Sequence, residues 1–487
     1  MGFGLAVVCL AYALLLVSEG EPPAPQGAGR PVFAWRLDAF WSQLEQEMVA
    51  ARRREPAQLA AEIDAAVGEL RQLLAQVAAH PRAPDDPIFA TLEERLFRLA
   101  PLVAVQPERV KDYAGLVAET REGVKEQSRA WDPNALPARQ RLYRLLFGAR
   151  MALEQVLLQL PADRAFPALG RGVEEPSAAP ATSLLGVTVH SGDILVSRGG
   201  APTSALIARG NDYPGVFSHV ALVHVDPDSR RAVTVESHIE GGVVVAPLAA
   251  YLRDQKLRVL VLRPRADLPA LQADPLLPHR AASQAVAEAA RRHIPYDFAM
   301  NGHDASAQFC SEVAAVAYAA VGLKLWMGVS YLSSPTVTAW LGSIGVRHFE
   351  TQEPADLEYD PQLRVVAEWR DRATLFKAHV DDAVTDVMFE VAPSGEPLPY
   401  NRRLLPLARL SKAYSVGLNL LGRVGPIPEG MSATAALRVD RYQAAHRALV
   451  ARVRVRAEAL QSERGYVPPY WELVRLAREA ERQQRGG

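Results

Sequence analysis

The chain alternates between two textures of apolar and polar positions. After Pro56, apolar residues recur at Leu59, Ile63, Val67, Leu70, Leu74 and Val77, and between Pro137 and Pro161 at Leu142, Leu146, Ala149, Leu153, Val156 and Leu160. Steps of three and four put such residues on one stripe of a helix, so both stretches are predicted to be amphipathic helices packed in a bundle or against a neighbouring unit. Past the breaker-rich stretch RGVEEPSAAPATS, Arg171 to Ser183, the pattern shortens to DILVSR, HVALVHV, RAVTVES, GGVVVAP and LRVLVLRP. These runs, rich in Val, Ile and Leu and separated by Gly, Pro, Asn and Asp, predict a small sheet. Helical spacing returns around Ala281 to His293 and from about Gln308 to Val321, where Gly322 offers a C-cap. From about Arg347 onward the chain reads as largely helical, with a Pro/Gly-rich interruption at Gly422 to Gly430. The pattern therefore predicts an N-terminal helical region over 35–165, a linker over 166–186, an α+β unit with a small antiparallel sheet over 187–345, and a C-terminal helical region over 346–487.

The N-terminus adds a different signal. MGFGLAVVCLAYALLLVSEGEPP is apolar from about Leu5 to Val17 and then turns polar and Pro-rich, the order of a signal peptide over residues 1–20 with cleavage after Gly20. No Lys or Arg precedes the run, and retention as a short membrane anchor is the alternative. Residues 21–34, rich in Pro, Gly and Ala, read as a tether. The expectation is export to a periplasmic or extracellular location, with membrane association through this segment as an accompanying reading. Charge names no partner: 54 Lys and Arg face 55 Asp and Glu, so nothing marks nucleic-acid binding.

Only two cysteines occur, Cys9 inside the apolar run and Cys310. Cleavage would leave Cys310 without an intramolecular partner. A lone cysteine is by default a small buried hydrophobe. Cys310, however, stands at the start of a helix, where the macrodipole is expected to lower a thiol's pKa. Its apolar neighbours Val313, Ala314, Ala317 and Val321 put it on the side facing the sheet. Upstream, in FSHVALVHV, His219, Ala221 and Val223 share one face while His224 faces the other way, so the two histidines cannot share a site. In AVTVESH, Thr234, Glu236 and His238 share one face. A loop over Asp226–Arg231 sets His219 opposite His238 with Glu236 diagonal; a loop ending at Ser229 sets it opposite Glu236. Glu236 is the preferred partner, because a carboxylate that accepts the ring N–H fixes the tautomer and stabilises the imidazolium; His238 is the alternative. Glu312 reads as a surface carboxylate or a complement to the helix terminus, Asp193 as a turn residue or an ordering group near the site, and His303 with Asp304 as loop polarity. No metal site and no cofactor are expected.

The order SGDILVSRGG, SHVALV, VES with GGVVVAPLAAYL, YDF and FCSEVAAVAY resembles the circularly permuted papain-like NlpC/P60 cysteine hydrolases of the YiiX/YebB type, over about a third of the chain. The resemblance implies a papain-like core in which the histidine strand precedes the cysteine helix. It implies Cys310 as nucleophile, His219 as general base, Glu236 as the polar third member, and Asp193, Tyr296 and His238 as residues near substrate. The insertion NGHDASAQ before the cysteine and the long helical flanks depart from the small family members. The expected function is cleavage of amide bonds by a cysteine thiolate and a histidine base, in cell-wall peptides or in lipid or aminoacyl amides. The alternatives are acyl transfer through the same thioester, or an inactive binding scaffold whose helical arms dock protein partners.

Overall fold

The structure is a computed structural model that describes residues 12–17, 29–161 and 167–486. Cys9, the cleavage point after Gly20 and most of the tether lie outside the described residues. Among the described residues, no helix is long and apolar enough to cross a membrane.

A seven-stranded antiparallel sheet forms the centre. Its strands are β1 (Leu169–Arg171), β2 (Ile194–Gly199), β3 (His219–Val225), β4 (Ala232–His238), β5 (Gly242–Pro247), β6 (Lys256–Pro264) and β7 (Leu363–Arg370), in the spatial order β1-β7-β6-β2-β3-β4-β5. The five central runs predicted as strands are strands. The boundary at 345 needs correction: β7, in a stretch read as helical, is an interior strand between β1 and β6. Its Leu363, Val365 and Ala367 are buried on alternate positions, interrupted by a register shift between Val365 and Ala367. The linker is corrected as well, since β1 lies within it.

Alternation divides the sheet between two cores. Leu195, Ala221, Val223, Val259, Val261 and Ala367 pack on one face with Leu248 and Tyr251. Ile194, Val196, Val220, Leu222, Val235, Leu260 and Leu262 pack on the other, where Val313, Ala314 and Ala317 of the cysteine helix (Cys310–Ala319) join them. Beyond that helix Gly322 takes φ +87°, the left-handed conformation a glycine adopts cheaply.

The N-terminal stripe predicted after Pro56 is one helix, Pro56–Ala79, burying Leu59, Ile63, Leu70 and Val77. The second stripe is divided: Leu136–Leu142 and Gly148–Gln159 are joined through a π-helical turn, Tyr143–Phe147. Helices Arg372–Val391, Ala433–Arg464 and Tyr470–Gly486 share a core of Val380, Val384, Leu449, Val453, Leu473 and Ala477. Buried ion pairs fasten these helices to the sheet. Arg258 of β6 donates two hydrogen bonds to Glu154 of helix Gly148–Gln159, and Glu154 also meets His379 Nε2 of helix Arg372–Val391 at 2.7 Å. Arg198 of β2 pairs with Asp382 at 2.6 Å, and Arg150 pairs with both Glu358 and Glu368.

Candidate active site

The β3–β4 hairpin fixes which side chains meet. Leu222 pairs with Val235 and Val225 with Ala232. Asp226 and Arg231 close the connection through an Asp226 N–H to Arg231 O bond of 3.0 Å. This is the longer of the two loops the sequence allows, and continued along the strands it sets His219 across from His238 with Glu236 diagonal. The paired ladder stops at Leu222 and Val235, so the two strands part before they reach these residues.

In that opening, His219 Nε2 lies 2.8 Å from Glu236 Oε2, while His238 Nε2 stands 3.5 Å from the same oxygen. Glu236 is 2% exposed and its other oxygen accepts the Thr234 hydroxyl at 2.7 Å. Burial would raise the Glu236 pKa, but the hydrogen bond and charge of His219, with the Thr234 bond, overcome it and hold the carboxyl at about 2. His219 moves the other way: burial lowers it below the usual imidazole value, and the Glu236 hydrogen bond only partly opposes this. At neutral pH the pair is therefore a carboxylate beside a neutral ring. The carboxylate can only accept, so Nε2 carries the ring proton and Nδ1 keeps its lone pair.

Cys310 is the first residue of its helix and is 7% exposed. The flank of the helix covers the sheet face of Val220 and Leu222, opposite to the face that carries His219. The sulfur nevertheless reaches the strand edge at the histidine: Sγ lies 4.0 Å from Ser218 O, and the Val220 N–H acts on it from the other side. Cys310 thus contacts main chain on both sides of His219. Among the described residues no hydrogen bond joins Sγ to the His219 ring. Ser237, between Glu236 and His238, donates to Gln308 O at 2.6 Å and ties the end of β4 to the approach to the cysteine helix.

The expectation of a thiol acidified by the helix terminus is corrected here. Burial pushes Cys310 up to about 12, against the lowering by Val220 and Ser311 and with some help from Glu353. The magnitudes explain the outcome. A helix terminus contributes about 0.3–1 kcal/mol, less than one pKa unit, whereas full burial of an ionisable group can shift it by about 3–5 units. The resting sulfur is a thiol.

Two further residues, Asp193 and Glu312, depart in part from what was expected of them. Asp193 is not at the dyad: its carboxylate takes two hydrogen bonds of 2.8 Å from Arg263 and one from His190 N–H, and its main-chain oxygen accepts from Val223. That is the far end of β2 and β3 from the Ser197–His219 pair. Gly192 before it has φ +96°, and a Cβ there would meet Pro278 at 2.4 Å. Glu312 is not a surface group but does complement the helix terminus, the other reading: it is 2% exposed, accepts the Phe309 N–H at the N-cap at 2.8 Å, and is pushed by burial to about 8. Tyr296 lines a cavity of about 300 Å³ with Ile239, Glu240, Phe298 and Met431, and its hydroxyl is raised well above its usual value, first by burial and then by the nearby thiol. His303 is exposed in its loop, and Asp304 accepts Ser306 N–H in a turn. His224 stacks on His279, away from His219 as alternation predicts.

Sequence reasoning missed Glu353, a buried carboxyl raised to about 8 by burial whose charge acts on both Cys310 and Tyr296. It stands beyond the predicted limit of the α+β unit, and no local pattern points to it. Thr234 was seen only as a face-mate of Glu236; its hydroxyl bond to that carboxylate required the rotamer. The arrangement brings the Cys310 sulfur to the main chain that flanks His219, whose ring is oriented by a buried carboxylate. His219, Glu236 and His238 also offer ligand atoms that all lie within 4.8 Å of one another, a set that could hold a metal ion.

No curated protein matches the chain. Among solved structures, the crystal structure of metalloprotein yiiX from Escherichia coli O157:H7, DUF1105, is 22% identical over 37% of this chain and 97% of its own, with a TM-score of 0.29. The model of one protein family matches residues 188–367, which include the cysteine helix, the histidine hairpin and most of β7, and that family is the permuted papain-like amidase enzymes, YaeF/YiiX, C92 family.

Proposed function

We propose that the protein is a cysteine amidase that works through Cys310, His219 and Glu236. The observation that carries this reading is the His219–Glu236 bond, together with the contact of the cysteine sulfur with the main chain of Ser218 and Val220 on either side of that histidine. Glu236 holds the Nε2 proton, so Nδ1 is the base. Because the resting sulfur is a thiol, the proton leaves as the S–C bond forms: Sγ attacks the amide carbonyl, Nδ1 takes the thiol proton, and the carbonyl electron pair moves to oxygen. The main-chain N–H of Cys310, at the helix start, is placed to stabilise that oxygen. Collapse re-forms the carbonyl and breaks the C–N bond, and the imidazolium gives its proton to the departing amine. A water molecule, deprotonated by His219, then cleaves the thioester and restores the thiol. An amine in place of that water gives acyl transfer by the same steps.

The substrate class that fits this reading is an amide of a cell-wall peptide or of a lipid or aminoacyl group, met outside the cytoplasm. Tyr296 and its cavity would receive part of it. The test is the alkylation rate of Cys310 by iodoacetamide across pH, in the wild type and in His219→Ala. An imidazole that takes the thiol proton gives a reactive phase near neutrality that His219→Ala removes, by about tenfold or more. Equal rates in the two proteins refute the dyad.

A second reading rests on the His219, Glu236 and His238 ligand set. Two imidazoles and a carboxylate suit zinc, which when bound supplies a Lewis acid. Under this reading His219 serves as a ligand and not as a base. Cys310→Ala would then leave turnover intact while a chelator removes it, the opposite of the cysteine reading.

A further inference from the structure

Helix Leu405–Asn419 turns an apolar ridge to solvent. Its buried side chains are Leu405, Pro406, Ala408 and Ser415. By contrast Leu407 is 64% exposed, Leu410 60% and Tyr414 63%, and in the turn that follows Leu420 is 84% and Leu421 74% exposed. Positions 407, 410 and 414 lie on one line along the helix, and Leu420 and Leu421 follow in the turn beyond it. The same segment has a one-signed charge: between Glu396 and Glu429 the chain carries Arg402, Arg403, Arg409, Lys412 and Arg423 and no Asp or Glu.

A second apolar element shares this surface. Arg402 Nε donates to Leu16 O at 3.1 Å and Arg409 Nη1 to Leu15 O at 2.8 Å, so the described part of the N-terminal apolar run, residues 12–17, sits against the start of the helix. It too leaves Tyr12, Leu14 and Val17 exposed. The ridge also adjoins the candidate active site. Ile427 and Met431, just past it, pack with Ile239 and Phe298, and a Cβ on Gly241 would lie 3.5 Å from Val424. Ile239 directly follows His238 in the chain.

Contiguous exposed apolar side chains of this number mark an interaction surface. What covers it is indicated by charge. An apolar ridge edged chiefly by cations, with Glu429 the acid near Lys412, is the pattern of a helix that lies in the plane of an anionic bilayer, its leucines at the acyl boundary and its arginines at the headgroup phosphates. We propose that helix Leu405–Asn419 docks the protein on an anionic lipid surface, joined by residues 12–17 in a chain that retains them, with the cavity of Ile239 and Tyr296 turned toward that surface. The docking does not depend on the chemistry assigned to Cys310.

The test is co-sedimentation of the full chain with vesicles of phosphatidylcholine alone and of an equal mixture of phosphatidylcholine and phosphatidylglycerol. The wild type should partition onto the mixed vesicles and release as salt rises, since screening weakens surface attraction. The variant L407S/L410S/L421S alters only exposed side chains and keeps residues 12–17; its partition should fall by about tenfold or more. The variant R402Q/R403Q/R423Q should lose the preference for the mixed vesicles. An unaltered thermal midpoint confirms that each variant folds. The proposal is overturned if the wild type binds neither vesicle, or if the leucine variant binds as the wild type does. It is also overturned if the leucine changes only split a dimer in solution, which would make the ridge a contact between copies of the chain.

Discussion

Glu154 and Glu236 are both buried carboxylates, each beside an imidazole, and they differ in their second partner and in their access to solvent. Glu154 lies between Arg258 and His379, with no side-chain exposure on Glu154, Arg258 or His379. Glu236 lies between His219 and His238, of which the first keeps 16% of its side chain in solvent and the second 38%. A guanidinium does not release its proton at any pH a protein meets, so the first cluster is a fixed clamp between sheet and helices. An imidazole can give and take one near neutrality, so the second cluster can move a proton. Burial is common to both; the acidity of the partner decides whether a buried carboxylate fastens or works.

The widest separation between the two clusters should come from single deletions. Cys310→Ala is expected to remove amide turnover by about a thousandfold or more while leaving the thermal midpoint near the wild-type value. Glu154→Ala should do the reverse. It strands Arg258 in the interior at a cost of about 3–5 kcal/mol, lowering the midpoint strongly while the fraction that remains folded keeps its specific activity. Turnover and a circular-dichroism melt on the same preparations distinguish these outcomes, and a Glu154→Ala protein as stable as the wild type would dissolve the contrast.

A smaller effect tests the proton-moving role itself. Glu236→Gln should cost about a hundredfold or more in kcat/KM, since the ring loses the group that fixes its tautomer. Glu236 raises the His219 pKa against the lowering by burial, so its removal should shift the acid limb of the pH profile to lower pH. A limb that stays in place would show that Glu236 only packs against the ring.

Acid-base linkage gives a weaker signal. Glu312 and Glu353 are both held at about 8 by burial, above the ordinary carboxyl value. A carboxyl with a raised folded pKa contributes stability that is complete below its unfolded pKa and is lost as pH rises through its folded pKa. The urea midpoint should therefore fall steadily between mildly acidic pH and pH 9, and Glu353→Gln should flatten part of that slope. The clamp shows the opposite sign: the Glu154 carboxyl is held far below its usual value, so its contribution disappears only on acidification past the ordinary carboxyl range. His238→Ala should have the least effect on turnover, under about tenfold, because at 3.5 Å it does not hold Glu236 as His219 does.

How far the sequence reached follows the range of the interactions involved. The His219–Glu236 pair was legible because period-two alternation puts Glu236 and His238 on one face and a carboxylate is the better acceptor for an imidazole N–H, although the hairpin register alone favours neither. Gly322 was legible because a helix end has a local grammar. The turn role of Asp193 was legible, but its pairing with Arg263 was not, because Arg263 is on another strand seventy residues away and no spacing links the two. The acidity of Cys310 was misread for a related reason: the dipole is a property of its own helix, but the burial that outweighs it comes from the packed sheet. β7 escaped although Leu363, Val365 and Ala367 alternate, because Arg364 and Glu368 look like solvent-facing charges until Glu122 and Arg150 are seen beside them.

The place of β7 also bears on how the chain can be built and divided. It is the last strand in sequence yet lies inside the sheet, so during synthesis β6 keeps an open edge until residue 370 has emerged. Such pairing across a hundred residues is slow to form and leaves backbone donors and acceptors available to other chains meanwhile. A fragment ending at 345 would carry Cys310 and His219 but also that permanent edge, and should elute from gel filtration as an aggregate. The surroundings of Cys310 and His219 are thus complete only in a chain long enough to include β7.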